Sequence, residues 1–288
     1  MRKQAILLAA AAALGASAQA PLWMRDVKIS PDGTTVAFAY KGDIWTVPSE
    51  GGQATRLTSL PSYEASPVWS PDGKRIAFAS DRHGNNDIFV MEATGGPATR
   101  LTSDSASEIP EAFTPDGSEV LYSAAIQVPA ASAAFPSGRM AQLWAARADG
   151  SGVRRQVLAT PAQMPAFLPD GGFLYQDVTG FEDEWRKHHT SSVTRALWRY
   201  DAKSGKHANL TARGGEDRNP QFDPATSTVY FLSERDGATM NVYAAPLGDM
   251  SKAVAVTSFK THPVRFLSRS DNGTLAFTYD GEIYTMKG

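Results

Sequence analysis

The sequence predicts an all-β fold: a six-bladed β-propeller of four-stranded antiparallel blades, the last blade lacking its outer strand. Three observations carry this prediction. A tight turn recurs, first as Ser30-Pro31-Asp32-Gly33 and again 40 positions later as Ser70-Pro71-Asp72-Gly73. A β-rich run follows every copy, and a second run with an aromatic at a fixed place follows that. Periodic helices are essentially absent. Four short strands repeating every about 40–50 residues form the pattern of a propeller blade, because one such sheet cannot bury both of its faces alone.

The elements follow in chain order. Residues 1–20 read as a signal peptide: Arg2 and Lys3 are basic, Ala5 to Ala16 is apolar, and Ala18-Gln19-Ala20 is a cleavage pattern. The mature chain is expected to start at Pro21, to be periplasmic or secreted, and to have no membrane span after signal cleavage. Residues 21–288 then divide into blades at about 23–60, 61–104, 105–160, 161–213, 214–258 and 259–288. In each blade strand A precedes the turn. The A strands read Val27-Lys28-Ile29, Pro67-Val68-Trp69, Ala112-Phe113, Ala166-Phe167-Leu168, Gln221-Phe222 and Val264-Arg265-Phe266, with few inward carboxylates. Pro pre-sets one turn angle and Gly tolerates positive φ, so the turn joins A to B. Further copies are Thr114-Pro115-Asp116-Gly117, Leu168-Pro169-Asp170-Gly171 and, weaker, Phe222-Asp223-Pro224 and Ser270-Asp271-Asn272-Gly273. B strands include Thr35 to Tyr40, Arg75 to Ser80 and Thr274 to Tyr279. C strands carry Trp45, Phe89, Trp144, Trp198, Tyr243 and Tyr284 at one position, which reads as core between blades. D strands are clearest at Ala54 to Thr58 and Ala98 to Thr102, and only five are found for six blades.

Composition excludes several function classes. The chain has 288 residues, 28 basic against 30 acidic, so no basic excess drives nucleic-acid binding. It has no cysteine, which removes disulfides, thiolate metal sites and thiol nucleophiles. Gly-x-Ser-x-Gly, His-Glu-x-x-His and phosphate-loop patterns are absent. Asp81 to Asp87 lacks the alternate spacing of a calcium loop and reads as a polar turn. No catalytic residue, metal ligand set or cofactor is predicted.

Blade geometry separates two faces. A–B and C–D turns share one; B–C loops and D–A links share the other. The second face carries two long insertions, Gln127 to Ala141 and Thr179 to Arg195, and long loops are often functional or disordered. His83, His188, His189 and His262 map there, while His207 falls in a C–D turn. The candidate binding residues are Glu182, Trp185, Arg186, His188 and His189, with His83 and His262. The same cluster also reads as a salt-bridged loop capping blade four. A shared metal on His188 and His189 is disfavoured, because adjacent strand residues face opposite ways.

The turn, the Ile76-Ala77-Phe78-Ala79-Ser80 strand and the Asp81 to Val90 run resemble the repeats of TolB-type propellers and of tricorn-like peptidases. The stretches Phe181 to Arg195 and Ser258 to Leu267 resemble the leading propeller of exported bacterial tricorn-like serine peptidases. That resemblance implies a propeller without its own catalytic site, which admits or orients unfolded peptides for downstream PDZ and peptidase domains. It also implies a truncated chain. Two other readings stay open: a stand-alone TolB-like module binding a protein partner on the loop-rich face, and a propeller lyase acting on acidic sugars.

Overall fold

The computed structural model describes residues 23–126, 140–178, 193–212, 215–237 and 239–288. Blade one is β1 (Arg25–Ile29), β2 (Thr35–Tyr40), β3 (Asp43–Pro48) and β4 (Thr55–Arg56); blade two is β5 (Glu64–Trp69), β6 (Arg75–Ser80), β7 (Asp87–Glu92) and β8 (Thr99–Arg100). Blade three is β9 (Glu108–Phe113), β10 (Glu119–Ala124), β11 (Gln142–Arg147) and β12 (Arg155–Leu158); blade four is β13 (Ala162–Phe167), β14 (Phe173–Asp177), β15 (Leu197–Asp201) and β16 (Lys206–Asn209). Blade five is β17 (Asp217–Asp223), β18 (Thr228–Ser233), β19 (Asn241–Pro246) and β20 (Val254–Ala255). Blade six is β21 (Arg265–Arg269), β22 (Thr274–Tyr279) and β23 (Glu282–Lys287), three strands among the described residues. Every sheet is antiparallel and runs in chain order from the inside out. Among the described residues the one helical element is a 3-10 turn at Met250–Lys252.

The repeated turn works through its first and third residues. The Ser30 hydroxyl donates to Asp32 Oδ1 at 2.6 Å and accepts from the Thr35 amide at 3.0 Å. Ser70 and Asp72 repeat this at 2.6 and 2.9 Å, and Thr114 with Asp116 at 2.6 and 3.1 Å. Gly33, Gly73 and Gly117 follow at φ 77°, 69° and 69°, where a side chain is strained. The hydrogen bond from Thr114 holds the Asp116 carboxyl down at about 2.

Cross-strand pairs build the core. Opposite one another on B and C strands stand Phe38 and Trp45, Phe78 and Phe89, Tyr122 and Trp144, Tyr175 and Trp198, Phe231 and Tyr243, and Phe277 and Tyr284. The expected inter-blade role of the C-strand aromatics is met. Each of the six apolar clusters joins two neighbouring blades, and the last joins Ala276 of blade six to Val27 and Phe38 of blade one. The ring therefore closes through packed faces. Its A strands touch in a circle, β1 to β5 onward to β21 and back to β1.

Gly172 is needed for a different reason from the turn glycines. A Cβ there would sit 2.3 Å from the Tyr200 carbonyl oxygen, which belongs to β15 and cannot swing away. Gly172→Ala is expected to cost about 1–3 kcal/mol by overpacking. Urea unfolding checks it. Gly248→Ala, with open space around the new Cβ, is the control and should stay within about 0.5 kcal/mol of the parent.

Two sequence expectations are corrected. The A strands start earlier than the apolar runs indicate, with Glu64, Glu108 and Asp217 as first residues of β5, β9 and β17. His207 lies on strand β16 rather than in a turn, with its Nδ1 2.8 Å from the Tyr175 hydroxyl.

Candidate functional site: the central channel

All six A strands carry a bulge midway, shown by a register shift against their B strands. Five of the bulges hold a residue other than glycine at positive φ: Asp26, Ser66, Met164, Asn219 and Phe266, between 51° and 56°. The extra residue breaks the ladder and aims a backbone amide sideways. A neighbouring blade then satisfies it. The Ser66 amide donates to Asp26 Oδ2 at 3.0 Å, Met164 to Glu111 Oε2 at 2.9 Å, and Asn219 to Gln176 Oε1 at 2.9 Å. Blade three places Pro110 at this point, and proline has no amide to satisfy. Further along the strands, Ile29 donates to Ser268 Oγ at 3.0 Å and Arg269 to Gln221 Oε1 at 3.1 Å. The seam between blades two and three is tied by Arg75 Nη2 donating to the Gly117 carbonyl at 2.9 Å.

Beside the bulges lies a cavity of ≈ 390 Å³, lined by residues from all six A strands and by Pro31, Pro71 and Pro115 of the A–B turns. That volume lies within the range of about 300–1,000 Å³ usual for ligand pockets. Its wall is apolar at Ile29, Val68, Phe113 and Phe167, with Lys28, Glu111 and Arg269 set among them. Arg269 is held by Asp223 at 2.7 Å. Lys28 reaches across the channel to Met164 Sδ at 3.7 Å. Burial pulls its ammonium below the usual lysine range, and the Glu111 and Asp26 carboxylates offset part of that. The wall thus presents apolar area, a buried cation and carboxylates. Among the described residues no group of three or more His, Asp or Glu is placed to hold a metal ion.

The opposite rim is built by acids that open the A strands. Glu64, fully buried, pairs with Arg82, and Asp217, also fully buried, pairs with Arg235 at 3.4 Å. Arg82 lies 4.2 Å over the Phe89 ring and Arg235 4.9 Å over Phe231, so each arginine both neutralises an acid and covers an aromatic. Blade three breaks the pattern. Glu108 is fully buried in the same place, but Ile126 stands two residues past Ala124, where Arg82 stands two past Ser80. Burial pushes the Glu108 carboxyl up to about 7; Asp87 and Asp104 add to this, and Thr102 and Arg154 offset part of it.

Of the candidate residues read from the sequence, Glu182, Trp185, Arg186, His188 and His189 lie outside the described residues, as do most of both long insertions. His83 stacks on Phe89 at 6.0 Å, on the B–C side of blade two. His262 sits before β21 with its Nε2 3.3 Å from Asp280 Oδ1. Each histidine contacts only its own blade in these pairs, and His83 is exposed. The channel carboxylate Glu111, and Asp26, which holds the Ser66 amide, were missed, because a bulge destroys the alternation that marks inward residues. The signal that could have found them is the apolar-poor stretch just before each A-strand core.

The family model for the tricorn protease N-terminal β-propeller domain matches residues 21–288. The crystal structure of the tricorn protease superposes with a TM-score of 0.74 at 21% identity, over 93% of this chain and 25% of that one. TolB from Acinetobacter baumannii superposes with a TM-score of 0.57 at 16% identity, over 90% of this chain and 64% of that one. An uncharacterized peptidase of Bacillus subtilis (strain 168), YuxL, is 43% identical over 56 residues, 18% of this chain and 8% of the relative. The chain thus spans a quarter of the tricorn structure it resembles.

Proposed function

The chain belongs to the tricorn protease N-terminal β-propeller family, and on that premise we propose that it is an exported, non-catalytic propeller that receives extended peptide segments in its central channel. One observation carries the reading: the axis holds a cavity whose wall combines apolar area with Lys28 and Glu111. An unfolded chain offers apolar side chains, charges and backbone amides together, and such a wall meets all three. The export part is supported by the leader pattern of residues 1–20. Hydrolysis belongs, in this reading, to peptidase domains outside residues 21–288, reached through the propeller.

Obstruction of the channel tests it. Ala112 lines the cavity on β9. Fluorescein-labelled peptides from reduced casein should bind the mature chain, and Ala112→Trp should weaken that binding at least about tenfold, or 1.4 kcal/mol. Val153→Trp, at a position 90% exposed, should leave it unchanged. Equal binding by parent and Ala112→Trp, with both folded by circular dichroism, would overturn the reading.

A further inference from the structure

The geometry points to a covalent modification site spanning the cavity: Met164 Sδ and Lys28 Nζ are placed to join as a sulfilimine, a sulfur–nitrogen double bond, when a hypohalous acid reaches them. The two residues come from opposite sides of the ring, β13 of blade four and β1 of blade one, 136 positions apart in the chain. Both line the ≈ 390 Å³ cavity and both are half-buried, so a small oxidant has access to them. Their sulfur and nitrogen atoms stand 3.7 Å apart. Among the described residues Met164 is the one methionine whose sulfur has an amine beside it. Each main chain is pinned from a neighbouring blade. The Lys28 carbonyl accepts from Trp69 Nε1 at 2.9 Å, and the Met164 amide donates to Glu111 Oε2 at 2.9 Å. Blade packing, rather than a loop, therefore holds the pair.

The surroundings of Nζ favour its neutral, nucleophilic form. Among the described residues its hydrogen-bond contact is the sulfur, while Asp26 Oδ2 takes the Ser66 amide and Glu111 Oε2 takes the Met164 amide. An ammonium without an oxygen acceptor is costly to remove from water. Burial shifts Lys28 the same way, and the Glu111 and Asp26 carboxylates offset part of that. The other cation of the wall, Arg269, is bound to Asp223 at 2.7 Å. Methionine sulfur is a common target of oxidants. A hypohalous acid transfers its halogen to Met164 Sδ, leaving a halosulfonium and hydroxide. The Lys28 lone pair then forms the S–N bond as halide departs. One N–H proton turns the hydroxide into water, and the other leaves to solvent, which gives S=N. Sulfur loses two electrons and the halogen gains them. Water attacking in place of the amine gives the sulfoxide instead. Proximity decides between the two, because an amine already beside the sulfur acts at a high effective concentration. This inference uses the cavity wall alone and does not rest on the peptide reading.

Hypobromous acid is the probe, added in equimolar amount to the folded chain near neutral pH. The quenched protein is digested with trypsin and read by mass spectrometry. The expected product joins the peptide Asp26–Lys41, uncut at Lys28, to the peptide Gln156–Arg186. Its mass lies two hydrogens below the sum of the two peptides. It should exceed Met164 sulfoxide by about threefold or more. Met24 and Met286, half-buried away from Lys28, should appear as sulfoxides and report the dose of oxidant. Lys28→Arg, with its fold checked by circular dichroism, keeps a cation and should turn Met164 over to the sulfoxide. A smaller excess of cross-link in the parent, or none, would overturn the inference. So would a Met164 left unmodified while Met24 is oxidised, or an undiminished Met164 cross-link in Lys28→Arg.

Discussion

Arg82→Leu is expected to lower the free energy of unfolding by about 3–5 kcal/mol, the range for removing one partner of a buried ion pair. Its partner Glu64 is fully buried at the start of β5, where the Ser62 and Ser80 hydroxyls lie 3.2 and 3.4 Å from Oε1. Two neutral hydroxyls do not compensate a carboxylate removed from water. The arginine also covers Phe89 and Phe78, at 4.2 and 5.6 Å, so its loss uncovers apolar surface. The double change Glu64→Leu with Arg82→Leu removes the stranded charge and should recover most of the loss. Urea unfolding of the four members of this cycle gives the coupling. A single-variant loss below about 1 kcal/mol would show that the pair behaves as an ordinary surface bridge.

Glu108 supplies the second large effect, as a dependence on pH. Its carboxyl is raised from 4.5 to about 7 in the folded chain. Between those values the folded state binds more protons than the unfolded state. The stability contributed by Glu108 is therefore greatest below about 4.5, falls as pH rises, and levels off above about 7. At roughly 1.4 kcal/mol per unit, this loss amounts to about 3–3.5 kcal/mol. Glu108→Gln keeps the shape and cannot ionise. It should match the parent near pH 4 and exceed it by about 3 kcal/mol at pH 8. The groups around Glu108 are Asp87, Asp104 and Arg154, with Arg100 bound to Asp87, and all remain in the variant. Parallel pH profiles for parent and variant would assign the slope elsewhere.

The turns and the B and C strands were legible because each is written in local chemistry. Pro31 and Gly33 set backbone angles within four residues, and Phe78 opposite Phe89 follows from simple alternation. The blade-six gap was legible as a missing sequence copy, and among the described residues β23 is the last strand of its sheet. The inner strands were harder. Glu108-Ile109-Pro110 does not look like a strand, since proline cannot donate to a ladder, yet Pro110 sits where no donor is required. Glu111 lines the channel from a strand whose bulge shifts the register by one residue, and no window of periodicity reports such a shift. The pairing of Asp26 with Ser66 spans 40 positions, a distance over which residue spacing says nothing until the ring is assembled. The strongest charged stretch, around Glu182 to His189, lies outside the described residues, so the site that emerged is built from different parts.

The sideways amides of the inner strands have a mechanical consequence. Each blade is keyed into the next, like voussoirs cut with a tongue and a slot. A single blade cannot pivot outward without shearing a bond such as Asn219 to Gln176, and cannot slide without moving both neighbours. The bore is consequently a fixed gauge rather than an iris.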